Sequence, residues 1–353
     1  MSNGLFRRTS RLASLALAAF GAACSSDGPN TPNGAPERVG VIVNSVSNSL
    51  TLVSTDSANP VPVNVGLGAQ GTPVGVAVRG AVAVVPLGVY PFAAIVDLRT
   101  RTVVRTAALP ANSGATGAAF LNDSIAIVGN PNRNTVSPVN VNTGTVRPEV
   151  AVGTYPQAMV ANNGVVFVLN GNLVNFSPAG PGSVTVIGAN GSAVATQQLS
   201  GVNPQAGVVS NGRLYVVNAG HFGQADGSLS VINLVSGTEE VNAGGFGEFP
   251  GSIDVGNDGN VYVGVYGRGI LVWNPGLRQF VRGLDNPIVP GGAAPVSALA
   301  FDHLGRLHTL NPGDCLAPGK EYRLNTSGFA VNRTVTTGVC PFAIAFAELP
   351  AVN

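Results

Sequence analysis

The chain has 353 residues and is close to neutral, with 18 Lys and Arg against 17 Asp and Glu and only 10% charged residues. No basic stripe is available to neutralise a phosphate backbone, which excludes nucleic-acid binding as a function class. The 47 Gly and 25 Pro are scattered among Val-rich runs; they punctuate many short strands, and no useful helix-period pattern follows residue 25.

The first segment, residues 1–23, has the three parts of an export signal. Arg7, Arg8 and Arg11 form a basic start, Leu12 to Phe20 (LASLALAAF) an apolar run too short to span a bilayer, and Gly21-Ala22-Ala23 a small-residue cleavage site. Cys24 follows, and residues 24–38 are polar and rich in Pro, Gly, Ser and Asn, a flexible tether with nothing to bury. This arrangement resembles a bacterial lipoprotein signal, in which the Cys is acylated and becomes the new N-terminus, with Gly21 where that family usually has Leu. The resemblance implies lipidation at Cys24, contact with the membrane through that anchor only, and, from Ser25 rather than Asp after the Cys, the outer membrane. The alternative is an ordinary secreted or periplasmic protein with an incidental Cys. Arg7-Arg8 is also weakly similar to a twin-arginine signal, but paired Arg in such a segment is usually just charge.

From residue 39 to 353 one pattern recurs. A run opening on Pro or Ala and continuing in small apolar residues begins at Pro73, Ala115, Pro156, Pro204, Pro250, Pro295 and Pro341, at spacings of 42, 41, 48, 46, 45 and 46 residues. Periods of this size mark stacked or radial supersecondary units. Within the repeat from Pro204, AGVV, Asn211-Gly212, RLYVV, a longer segment, SLSVINL and Ser236-Gly237 before TEEVN describe two hairpins in one four-stranded meander. Thr143-Gly144, Asn163-Gly164, Asn190-Gly191, Asp258-Gly259, Pro275-Gly276, Leu304-Gly305 and Ser327-Gly328 repeat the punctuation. Small residues suit strands crowded around an axis, and Tyr215, Phe167 and Tyr262 suit the next strand outward. The expectation is an all-β, seven-bladed β-propeller of four-stranded antiparallel blades; six or eight blades follow if the weak third repeat or the first blade is misread.

Leu214 to Asn218 (LYVVN) followed by SLSVINLVSGTEEV is similar to the YVTN-type propeller repeats of prokaryotic surface and periplasmic proteins, with Val217 replacing the Thr. Other repeats depart from it at Val166 to Asn170 and Val261 to Gly264. The resemblance implies the fold and carries no activity with it.

Residues 39–66 supply three strands without a small-residue inner strand, and Pro341 to Leu349 supply such a strand with no blade after it. The C-terminal strand is therefore expected to complete the first blade and remove the open edges. With Cys24 acylated, Cys315 and Cys340 remain as a pair, and an oxidising compartment favours a disulfide between them over two free thiols. Cys315 falls in a second-to-third-strand loop and Cys340 in the connection to the closing strand, two segments that open on one face.

That face also gathers the long loops Pro86 to Phe92, Gly171 to Ser183 and Ala219 to Gly227. Its binding candidates are Tyr90, Tyr155, His221, Phe222, Asp226, Phe246, Glu248, Phe249, Tyr266 and Arg268, an aromatic rim with few charges suited to an envelope protein, a peptide or a carbohydrate. The competing reading packs these rings onto the blade tops. No cofactor is expected. The inner-strand starts carry only Gln157, Gln205, Ser252 and Ser297 as polar residues, and a calcium site needs six to eight oxygen ligands. Asp254 is the one acid inside an inner strand and the channel candidate, and Glu248 lies two residues before that strand. Seven-bladed relatives of this repeat type include lactonase-like proteins, and that resemblance implies the alternative, a lactonase-like hydrolase with a metal or water in the axial channel near Asp254 and Glu248, against a plain backbone hydrogen-bonding role for Asp254. His221, His303 and His308 fall on different parts of the blades and do not form a zinc triad. The favoured function is non-catalytic binding or scaffolding at the cell envelope.

Overall fold

The structure, a computed structural model, describes residues 36–292 and 295–351. The expected signal segment and Cys24 lie outside the described residues.

Seven four-stranded antiparallel sheets follow one another along the chain, joined by loops, with a 3-10 turn at Pro131–Arg133 inside the third sheet and another at Pro290–Gly292 between the sixth and seventh. Blade five shows how the sequence makes one. Pro204–Ser210 runs to a turn in which Asn211 and Gly212 both have positive φ, 49° and 73°, as a two-residue hairpin demands. Arg213–Asn218 returns, a long loop leads to Ser228–Asn233, and a second turn reaches Thr238–Ala243. That second turn is held by Asn233, whose Oδ1 accepts from the backbone N–H of Val235 and Ser236, and by Gly237 at φ 72°. In the equivalent turns at Pro275-Gly276 and Ser327-Gly328 the left-handed residue is not the glycine but Arg278, φ 54°, and Phe329, φ 58°.

The ring closes through its ends. Blade one runs, from the axis outward, Pro341–Leu349, Glu37–Asn44, Ser49–Ser54 and Val63–Gly66. The C-terminal strand pairs antiparallel with the first, placing Ala347 opposite Val39, Ala345 opposite Val41 and Ala343 opposite Val43. Pairing extends to Glu37 and Arg38, so the strand begins within the stretch expected as tether.

Each seam between neighbouring blades has its own apolar cluster, because alternate residues of a strand face opposite blades. Val39, Val41 and Val43 pack against blade two, whereas Ile42 turns back toward blade seven. The seam between blades seven and one is the poorest among the described residues, holding Ile42, Val53, Ala298, Leu310 and Val335 with the half-buried Ile344 against them. Charge takes the place of apolar area there. His308 lies between Asp302 and Glu321, and the Arg333 guanidinium bonds Glu321 at 3.1 Å and reaches across to the carbonyl of Ser54 at 2.9 Å.

A buried asparagine ends the second strand in four blades. The Nδ2 atoms of Asn44, Asn130, Asn170 and Asn218 each donate to two hydroxyls of the adjoining strand, as Asn218 does to Ser228 and Ser230 at 3.2 and 2.9 Å. No helix among the described residues is long and apolar enough to cross a membrane.

Candidate binding face and axial channel

Second-to-third-strand loops and the connectors from each blade to the next open at one end of the ring. Cys315 and Cys340 are joined by a disulfide there, with Cα atoms 4.5 Å apart. The cystine ties the loop of blade seven to the residue before the closing strand, and Ser45 on the neighbouring turn donates its N–H to the Cys340 carbonyl at 2.9 Å.

The connectors share a backbone device. Tyr155, Asn203, Phe249 and Cys340 each precede the proline that opens an inner strand, and all four have φ between 55° and 60°. Left-handed non-glycine residues cost about 1–3 kcal/mol each and persist where the surroundings over-determine them. In blade four a small hairpin, Leu173–Val174 paired with Ser177–Pro178, lifts Phe176 to its tip at φ 61° and 68% exposure. Phe176 meets Tyr155 edge-on at 6.2 Å, Phe222 lies 6.2 Å from Phe249, and Tyr90 stacks on Phe92 at 4.6 Å. Burial pushes the Tyr155 phenol above its ordinary pKa.

All five exposed aromatic residues among the described residues, Phe176, Phe222, Phe249, Tyr266 and Phe342, are at this end, together with Leu316, Val89 and Val46. Charges are few, and two pairs stand out. Arg133 bonds Glu149 at 2.7 Å and holds its carboxyl below the usual range. Asp226 accepts from the His221 backbone N–H at 2.9 Å, with His221 Nδ1 2.6 Å from its second oxygen. Burial pushes the Asp226 carboxyl up, but these His221 bonds outweigh it and leave the group below its ordinary value. Tyr266 and Arg268 are exposed on a neighbouring turn, and Glu248 is half-buried. The pairs Arg79–Asp123 and Arg213–Glu240 sit at the opposite end.

Phe246 is the exception among the rim candidates. It is fully buried and packs on Phe280 at 4.8 Å, part of the core between blades five and six. Gly245 and Gly247, at φ 89° and 75°, turn the connector so that Phe246 points inward and Phe249 outward.

Inside the ring of inner strands is a channel of about 440 Å³ opening at this end. Its wall is built from the small residues at the starts of those strands, and none of the lining residues is charged. Asp254 does not line it. Strand alternation places its side chain in the seam between blades six and seven, where Oδ1 accepts the N–H of Val255 at 2.8 Å and Oδ2 that of Phe301 at 2.7 Å. Burial, only partly offset by these bonds, holds its carboxyl above the ordinary pKa. Among the described residues no group of His, Cys, Asp or Glu is arranged to hold a metal ion.

Two features escaped the sequence reading. Phe342, 45% exposed at the channel mouth, is the second residue of its repeat, a position occupied elsewhere by Val74, Thr116, Gln157, Gln205, Gly251 and Val296. Aligning the seven runs would have singled it out. The Asp302–His308–Glu321–Arg333 network had no such signal, since its members lie on a hairpin turn and three separate strands.

Fold and channel together define a seven-bladed β-propeller. No protein-family model matches the chain, and no match is found among curated proteins. Solved structures similar to it include the hydrazine synthase of Kuenenia stuttgartiensis, with a TM-score of 0.59 and 16% identity over 72% of this chain and 78% of that one. Another is the WD40 β-propeller domain of Doa1, with a TM-score of 0.57 and 13% identity over 79% of this chain and 91% of that domain. Identities this low concern the fold alone.

Proposed function

We propose that the chain is a non-catalytic binding or scaffolding propeller of the cell envelope, recognising a ligand or protein partner with the loops of its cystine-bearing face. The observation that carries this is the gathering of every exposed aromatic side chain among the described residues at one end of the ring, two of them, Phe176 and Phe249, in left-handed backbone. Exposed, strained aromatics reduce stability and are retained where they meet a partner. Anchoring through Cys24 in the outer membrane follows from the lipoprotein-like signal, and the YVTN-like text of blade five supports a surface or periplasmic address. A disulfide accords with an oxidising compartment.

Photo-crosslinking amino acids at Phe176 and Phe222, compared with Val235 and Leu277 at the opposite end, test the face in intact cells. Discrete adducts from the first pair alone support it, and adducts from the second pair alone overturn it. Globomycin tests the anchor: a lipidated chain accumulates unprocessed, whereas a chain maturing normally in its presence is not acylated at Cys24.

A further inference from the structure

The second residue of six repeats, with Ser297 taking that place in blade seven where Val296 is buried in the seam, forms a ring around the channel mouth, and an aromatic ring and a pair of amides stand on opposite sides of it. Blades four and five contribute Gln157 and Gln205, preceded in blade three by Thr116. In a seven-membered ring the blade opposite the junction of four and five is blade one, whose inner strand contributes Phe342. An exposed aromatic ring therefore stands across the mouth from a pair of amides.

The amides are held by a buried neighbour. Asn203, fully buried, accepts with Oδ1 from Gln157 Nε2 at 2.7 Å and from Gln205 Nε2 at 3.3 Å. Gln157 Nε2 also donates to the Pro204 carbonyl at 2.7 Å. With their N–H groups drawn away, the carbonyl ends are the acceptors left at the mouth. Gln157 Oε1 receives only a 3.5 Å contact from Gln205, and Gln205 Oε1 accepts no hydrogen bond from the described residues. The lining carries no charge, and the volume of about 440 Å³ falls in the range of small-molecule sites, about 300–1,000 Å³.

We infer that the channel mouth binds the terminal pyranose of a neutral saccharide, stacking its ring on Phe342 and donating its hydroxyls to Gln157 and Gln205. An apolar flat face beside an edge of hydroxyl donors matches the two halves of the ring, whereas an anionic sugar would lose its hydration against an uncharged wall. The inference rests on the cystine face being the binding end and names the ligand class for its centre.

Saturation-transfer NMR on the full mature chain in detergent, with methyl β-glucopyranoside, N-acetylglucosamine, glucuronate and triglycine amide as probes, tests it. The neutral sugars should receive saturation, and glucuronate should bind at least about tenfold more weakly. Phe342→Leu, which keeps an apolar side chain, and Gln157→Ala/Gln205→Ala should each weaken the neutral sugars about tenfold, with the melting temperature showing that the variants fold. Leu277→Ala, exposed at the opposite end of the ring, should leave binding unchanged. Absence of saturation, equal binding of glucuronate, a response from triglycine amide alone, or indifference to the mouth substitutions would overturn the saccharide site. Adducts persisting at Phe176 and Phe222 in that event would leave the face reading standing.

Discussion

The imidazole Nδ1 of His308 lies 2.6 Å from Oε1 of Glu321, in a seam where both side chains are 1% exposed. The other ring nitrogen, Nε2, is 3.1 Å from Asp302, and the His308 ring also packs edge-on against Phe346 of the closing strand at 4.9 Å. A polar network thus braces the join between the last blade and the first, where apolar packing is thinnest.

Removing one member strands the rest in a dry environment. His308→Ala is expected to cost about 3–5 kcal/mol in urea unfolding. A double-mutant cycle with Glu321→Gln should return a coupling of about 0.5–3 kcal/mol.

Acid should weaken this seam. Burial pushes the Asp302 carboxyl up, but bonds from His308 and from the backbone and guanidinium of Arg306 outweigh it and hold the group well below the carboxylate range. The folded state therefore binds fewer protons than the unfolded chain. Its stabilising contribution is complete above the unfolded value of about 3.9 and is lost as pH falls through the lower folded value. Chemical unfolding between about pH 6 and pH 2 should show the gap between the parent protein and Asp302→Asn narrowing as pH falls.

The cystine closes a stretch of 25 residues that carries the outer strands of blade seven. Cys315→Ser, or reduction, is expected to destabilise by about 3–4 kcal/mol in the chain-entropy account. Equilibrium unfolding with and without dithiothreitol measures it.

Phe246 and Phe222 separate core from contact. Phe246→Ala empties a fully enclosed site and should cost about 3–5 kcal/mol. Phe222→Ala, at an exposed position, should stay within about 0.5 kcal/mol while reducing adduct formation on the cystine face. Thermal melts and the crosslinking assay read the two effects separately.

The asparagine clamps are testable in blade five. Asn218→Ala removes the nearer of two amides that donate to both the Ser228 and Ser230 hydroxyls, leaving that of Asn242 at 3.4 and 3.2 Å, and should cost about 0.5–1.5 kcal/mol, measured by the same unfolding experiment.

Much of this architecture was legible in the amino-acid order. The missing small strand before Val39 and the spare one after Pro341 dictated closure, because both halves of a hydrogen-bonded pair were visible as text. The cystine was legible because two cysteines fell in loops that a meander must place at one end. Phe246 and Phe249 could not be told apart, since each is a phenylalanine in a glycine-rich connector. Asp254 read as a channel residue because its strand lines the axis. Which side of the strand it leaves by depends on register against the next blade.

Local chemistry alone, the alternation of small and branched residues with Asn-Gly and Asx turns, determined the blades, their number and the strand that seals the ring. Tertiary structure decided which residues meet across seams and around the axis. Gln157, Gln205 and Phe342 converge only because seven sheets close into a circle, and Asp302, His308, Glu321 and Arg333 converge only where that circle is joined. Hydrogen bonds along a strand pair follow from neighbours in sequence, whereas encounters between sheets are set by the geometry of closure, which no single repeat contains.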